Sequence, residues 1–188
     1  GSPITNGNET DKIWNNQFFG GDLTGVKEAL PYLTNTLGVN ALYFMPIFQS
    51  DSDHKYDNDT YEYVDNNFGG NKGLAELGKA LEDKKINYIL DGVFNHTSAT
   101  GSLYKANKDK FYFQGDFKDG AGNSIPHYPW HGFSNFAKLD YSKEATKNYI
   151  YKDDNSVAKT FLKAPYFADG WRLDAAEDLN SEPRDFKE

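Results

Sequence analysis

The sequence has no cysteine and a single methionine, which excludes a disulfide framework and any thiolate chemistry. Basic side chains are in the minority, 20 against 28 acidic, for a formal charge of −8. Nucleic acid and anionic membrane surfaces both call for a basic face, so this balance argues against either as a partner. No apolar run approaches the ~20 residues of a membrane-spanning helix. The lack of cysteine does not separate a secreted from a cytoplasmic protein. What is abundant is aromatic: 14 Phe, 13 Tyr and 3 Trp in 188 residues. With 38% hydrophobic and 26% charged residues the mixture is that of a globular chain, and the length alone fits one ordinary domain.

Three short apolar runs each end in a polar cluster: VNALYFMP (39–46), INYILDGVFNH (86–96) and ADGWRLDAAE (168–177). Near-continuous apolar character over so few residues predicts strands buried on both faces of a parallel sheet. Helical patterns lie between them. Thr24 is a candidate cap for a helix carrying Val26, Leu30, Leu33 and Leu37, with Gly38 as its stop and Pro31 predicting a kink or a late start. Leu74, Leu77 and Leu81 mark a second helix. A third falls between Lys143 and Leu162, with an irregular middle at Asp153-Asp154-Asn155. This alternation implies an α/β fold with parallel crossovers. The interval from Ile86 to Gly170 is far longer than that from Val39 to Ile86. The surplus, 97–142, is rich in Gly, Asn and aromatics, with turn signals at Asp119-Gly120 and Gly122-Asn123, and reads as a small, partly β-structured inserted lobe.

In parallel β/α folds the residues that close each strand face the ligand crevice. Asp91, Asn95 and His96 follow the second run, and Arg172 and Asp174, two positions apart, end the third. A guanidinium beside a carboxylate favours the ionised form, which suits a nucleophile or charge stabiliser rather than a general acid. A structural ion pair is the competing reading of the same spacing.

These residues resemble a known family. DGVFNH (91–96) and GWRLDAAE (170–177) are similar to two conserved regions of the α-amylase family of glycoside hydrolases. GGDLTGV (20–26), LGVNALYFMPIF (37–48) and HKYDNDTYEYVDNNFGG (54–70) resemble its first helix, second strand and following loop, and FAKLD (136–140) the end of its inserted lobe. The HKYD form leans toward the neopullulanase, cyclomaltodextrinase and amylopullulanase branches. The resemblance implies a (β/α)8 barrel acting on α-glucans with retention. This chain would supply about strands two to four, with residues 1–96 and 143–188 as partial barrel and 97–142 as the inserted lobe. By position, Asp174 would be the nucleophile and Arg172 its orienting partner. His96 would hydrogen-bond the reacting sugar, Tyr56 would stack on it, and Asp91 would brace the site. An ionised carboxylate at the anomeric carbon and an aromatic plane under a sugar's C–H face are what such a reaction uses.

The resemblance also suggests a structural calcium site at Asn6, Asn8, Asp11, Gly20 and Asp22, all oxygen donors, although Asn8 and Lys12 stand where the family more often has Asp. Asn95 ligates calcium in some members and only supports its loop in others. The family's general acid, a Glu closing the fifth strand, would lie beyond this sequence, which ends 14 residues after Asp174. The expectation is therefore an α-glucan hydrolase fragment without its acid, inactive alone, with the missing remainder of the barrel as a partner. The alternative is a non-catalytic glucan-binding or assembly module. The aromatics of the lobe (Phe111, Tyr112, Phe113, Tyr128, Trp130, Phe133) divide between lobe core and outer sugar contacts, with core the larger share.

Overall fold

The computed structural model of the protein describes residues 20–179 and 181–183. Helix α1 (Leu23–Asn35) begins where Asp22, in extended conformation, accepts a hydrogen bond from Gly25 N at 2.7 Å. Asp22 is therefore the N-cap and Thr24 lies inside the first turn, because the stronger capping carboxylate comes two residues earlier. Pro31 causes neither a late start nor a break; it sits on the exposed side of the helix, where water can replace the bond it cannot make.

Strand β1 (Ala41–Phe44) leads into a long loop, and α2 (Gly70–Lys84) follows, with Leu74, Leu77 and Leu81 fully buried and Lys85 closing it at φ +56°. After β2 (Asn87–Gly92) the chain builds the lobe from β3 (His96–Ser98), α3 (Ser102–Phe111), β4 (Gln114–Lys118), β5 (Ser124–His127) and β6 (Phe136–Lys138). Antiparallel pairs β3·β6 and β4·β5 hold it, and Asp119 accepts from the backbone of Ala121 and Asn123 in the hairpin turn. Helix α4 (Glu144–Lys147) runs into a π-helical turn over 148–152, breaks at 153–156 and resumes as α5 (Val157–Thr160) before β7 (Gly170–Leu173).

The three runs read as strands form one parallel sheet in the order β1-β2-β7, with Leu90 opposite Trp171 and Asp91 opposite Arg172. They are not buried on both faces. Tyr88 and Leu90 point into the core, whereas Tyr43 and Ile89, on the opposite face, are exposed. The helices cover one face, and on the other Asp91 is enclosed while Tyr43 and Ile89 stay exposed, so apolar continuity in the sequence becomes alternating burial. The covered side is an aromatic core in which Phe48 meets Tyr61 and Phe161, and Phe94 meets Trp171, at ring separations of 5.0 to 5.7 Å. In the loop after β1, Lys55 is wholly buried, with Nζ 2.6 Å from Asp65 Oδ2.

Helix α2 presses closely on the segment before β7. A Cβ added at Gly78 would lie 1.9 Å from the carbonyl oxygen of Tyr166, which already accepts a hydrogen bond from the Tyr88 hydroxyl at 2.7 Å. Gly78→Ala is therefore expected to destabilise the fold by about 1–3 kcal/mol in urea titrations. Gly73→Ala is the control: its Cβ would stop 3.4 Å from Phe68 O, and it should be neutral or stabilising by up to about 1 kcal/mol.

Candidate active site at the strand ends

The register that sets Asp91 opposite Arg172 turns both side chains to one end of the sheet. Arg172 Nη1 donates to Asp91 Oδ1 and Oδ2 at 3.2 and 2.9 Å and to Asp174 Oδ1 at 2.6 Å, so one guanidinium nitrogen joins two carboxylates. Asp174 follows β7 directly and is held by its own amide on Gly92 O at 3.1 Å. The two carboxylates differ in access. Asp91 is enclosed, whereas the Asp174 side chain keeps 15% of its surface open.

Two phenols complete the cage around Asp91. Both the Tyr43 and the Tyr56 hydroxyl donate to Asp91 Oδ2, the latter at 3.3 Å. Burial pushes the Asp91 carboxyl above the usual carboxylate range, and the Tyr43 hydrogen bond and the Arg172 charge work against that rise. Burial and the Asp91 contact push the Tyr43 phenol up, so it remains a donor at neutral pH. The hydrogen bond to Asp174, followed by the charges of Asp91 and Asp174, outweighs burial and raises Arg172. Tyr43 escaped the sequence reading because a tyrosine inside an apolar strand looks like core. Its signal was the polar hydroxyl in an otherwise apolar run, which needs a partner when it is covered.

His96 opens β3 beside this cage. Its Nε2 lies 3.0 Å from Tyr56 O, and its ring stacks on Trp130 at 4.6 Å and packs against Phe136 at 4.5 Å. Burial pushes its pKa down to about 4, opposed by the Tyr56 carbonyl and reinforced by the charge of Lys138. The imidazole is therefore neutral at pH 7. Tyr56, half-buried, lies against His54 at 6.1 Å, so the structure brings Asp91, Arg172, Asp174, His96 and Tyr56 into one neighbourhood.

Asn95 Nδ2 lies 3.1 Å from His96 Nδ1, and its Oδ1 accepts from Lys138 Nζ at 2.7 Å. Lys138 comes from the FAKLD stretch and also donates to the carbonyl of Asp178, four residues after Asp174. Asp178 in turn accepts from Trp130 Nε1 at 3.0 Å and lies 3.3 Å from His131 Nε2. Phe111, Tyr112 and Tyr128 are lobe core, Trp130 faces His96, and Phe133 is exposed. Asn6, Asn8 and Asp11 of the suggested calcium site lie outside the described residues. Gly20 precedes α1, and Asp22 spends one carboxylate oxygen on the helix cap. Among the described residues no cluster of three or more His, Asp or Glu side chains is arranged to hold a metal.

The buried neutral His96 fixes the sign of an acid response. Unfolded, it binds a proton below its ordinary value near 6.5, while folded it resists until about pH 4, so the unfolded state binds more protons in that window. Stability is expected to fall as pH drops from 6.5 to 4, with His96 contributing up to about 3 kcal/mol of the loss. Urea midpoints across that range should show a shallower slope for His96→Gln; an unchanged slope would contradict the assignment.

Comparison with known proteins supplies the family. Residues 4–187 match the alpha amylase catalytic domain. The chain is 36% identical to an amylopullulanase of Thermoanaerobacterium saccharolyticum over 93% of its own length and 16% of that protein's. It superposes on a debranching enzyme from Nostoc punctiforme with a TM-score of 0.73 and 32% identity, covering 90% of this chain and 36% of that one. It also superposes on the cyclic alpha-maltosyl-(1→6)-maltose hydrolase of Arthrobacter globiformis in complex with maltose, with a TM-score of 0.72 and 26% identity, covering 88% and 38%. The chain thus spans about a sixth of that curated relative and just over a third of these solved chains, and its three parallel strands are part of the (β/α)8 barrel those structures share. The chain belongs to the alpha-amylase family of glycoside hydrolases, as a portion of its catalytic domain.

Proposed function

We propose that this portion of the barrel carries the nucleophile half of a retaining α-glucan hydrolase site. The observation that carries the reading is the asymmetric pair of carboxylates on Arg172, one enclosed and one accessible. The Asp174 carboxylate, open at the strand end, attacks the anomeric carbon as the bond to the leaving glycosidic oxygen breaks, and forms a glycosyl ester. Arg172 aims it through the hydrogen bond from Nη1. Asp91, inaccessible to a ligand, braces the guanidinium. Tyr56 offers an aromatic face beside the same carboxylates, which suits a sugar's C–H surface, and His96, buried with both ring nitrogens engaged, holds the Tyr56 backbone in place. The relatives' names, amylopullulanase, debranching enzyme and maltosyl-maltose hydrolase, support a starch- or pullulan-like substrate.

Retention also needs a second carboxyl group about 5 Å from the nucleophile to protonate the leaving oxygen. Asp91 cannot serve, because Arg172, Tyr43 and Tyr56 surround it. The 188-residue chain alone is therefore expected to release no sugar from maltooligosaccharides. With the remaining barrel strands supplied in the same or a second polypeptide, a fluorosugar should leave an ester on Asp174, detectable by peptide mass spectrometry. Glucan binding without an ester would favour a non-catalytic module, and hydrolysis by the isolated chain that survives Asp174→Asn would overturn the reading.

A structural calcium at Asn6, Asn8, Asp11, Gly20 and Asp22 belongs to the same proposal. The donor set is entirely oxygen, and Asp22 is placed at the start of α1 by its bond from the Gly25 amide. Asp22→Asn keeps a capping oxygen but removes a charge. It should leave Tm in EDTA nearly unchanged while abolishing the rise in Tm that calcium gives the unsubstituted chain. Absence of any calcium-dependent rise would count against the site.

A further inference from the structure

The centre of the site is joined to the inserted lobe by an unbroken series of hydrogen bonds. It begins at Lys138, almost completely buried on β6, whose ammonium reaches Asn95 Oδ1 at 2.7 Å. It continues from Asn95 to His96 Nδ1 at 3.1 Å, from His96 Nε2 to Tyr56 O at 3.0 Å, and from the Tyr56 hydroxyl to Asp91 Oδ2 at 3.3 Å. Arg172 then links Asp91 to Asp174.

The chemistry of the two ends leaves one direction for the bonds between them. An ammonium has donors and no acceptor, so the Asn95 side chain must turn its oxygen to Lys138 and its NH2 to His96. Nδ1 of His96 must then accept, which places the imidazole proton on Nε2. The Tyr56 carbonyl at the far side can only accept, and Nε2–H is the donor it requires. A lobe residue and a loop carbonyl thus demand the same tautomer independently. We propose that Lys138 is a positioning residue of the site: by fixing the orientation of the Asn95 amide it holds His96 as its Nε2–H tautomer and ties the Tyr56 backbone to the lobe.

The same ammonium grips the carbonyl of Asp178, so the lobe is fixed at once to the end of β2 and to the segment after Asp174. The charged groups felt by His96 are Lys138, Asp57 and His131; Trp130 and Phe136 present only rings. The inference rests on the hydrolase reading only for the use made of His96, and its test does not depend on turnover.

Two-bond 1H–15N correlations of the histidine rings in the full chain report the tautomer directly. His96, assigned by the signal lost in His96→Gln, is expected to show a protonated Nε2 and a bare Nδ1 at pH 7. Asn95→Asp offers His96 an acceptor while still satisfying Lys138, and should move the proton to Nδ1 or protonate both nitrogens. Lys138→Met, which keeps the stem and removes the donor, should release the amide and give a mixture of tautomers. A protonated Nδ1 in the unsubstituted chain would overturn the proposal even if neither variant folds, as would an Nε2–H signature unchanged in a folded Lys138→Met. Maltooligosaccharide binding followed on the same samples separates the two ideas. An intact Nε2–H signature with no sugar binding when the remaining barrel strands are supplied would sink the functional reading and leave the role of Lys138 standing.

Discussion

One pairing register governs the molecule's chemistry. Because Asp91 stands opposite Arg172 on adjacent parallel strands, a guanidinium is delivered to a buried carboxylate and, two residues later, to an accessible one. A slip of one residue would turn Arg172 to the opposite face of the sheet and leave Asp91 as an uncompensated buried charge. The covered side resists such a slip: Trp171 would lose its seat against Phe94 and its Nε1 bond to Ala158 O at 3.0 Å. Packing on one face of the sheet therefore sets the electrostatics at its end.

The chain as a whole is acidic, yet two lysines are among its most deeply buried described side chains. Lys55 is enclosed by Asp65 and the carbonyls of Ser50 and Ser52, and lies over the Phe68 ring at 5.2 Å. Lys138 is enclosed by Asn95 and the Asp178 carbonyl. Lys55 ties together oxygen atoms of its own loop and Lys138 those of segments distant in sequence, which is how irregular backbone beside the strand ends acquires defined geometry without a disulfide. Burying an ammonium is costly unless its donors are satisfied, so these loops have little freedom to rearrange.

Much of this was legible beforehand. Strand positions followed from apolar runs, and the α2 face from the spacing of Leu74, Leu77 and Leu81. The motif resemblance picked out Asp91, Arg172, Asp174, His96 and Tyr56, which the structure brings together, though it leaves their roles to experiment. What was illegible depends on tertiary context. Tyr43 looked like core because its run is apolar, and only the fold shows its hydroxyl on Asp91. Lys138 entered the sequence reading only as part of FAKLD, and only the fold shows it buried on β6 against Asn95. The two-sided burial expected of the strands failed because burial depends on what covers a face, and nothing in a strand's own residues specifies that. Thr24 lost the cap to Asp22 because two neighbouring residues could each have capped, and only the first turn's geometry decides between them.

The lobe has a kinetic consequence as well. Asp91 and Arg172 are 81 positions apart, and bringing strands together across so long a flexible segment carries an entropic cost that rises with the logarithm of its length. Pairing of β3 with β6 sets Thr97 opposite Ala137 and removes the stretch between them from that count. The hairpin of β4 and β5 forms within it from contacts close in sequence. Local structure that folds early shortens the loop that the distant strands must close. Once its own strands are paired, the insertion shortens the effective loop between β2 and β7, which lowers the closure cost by about 0.6 kcal/mol for each halving of loop length.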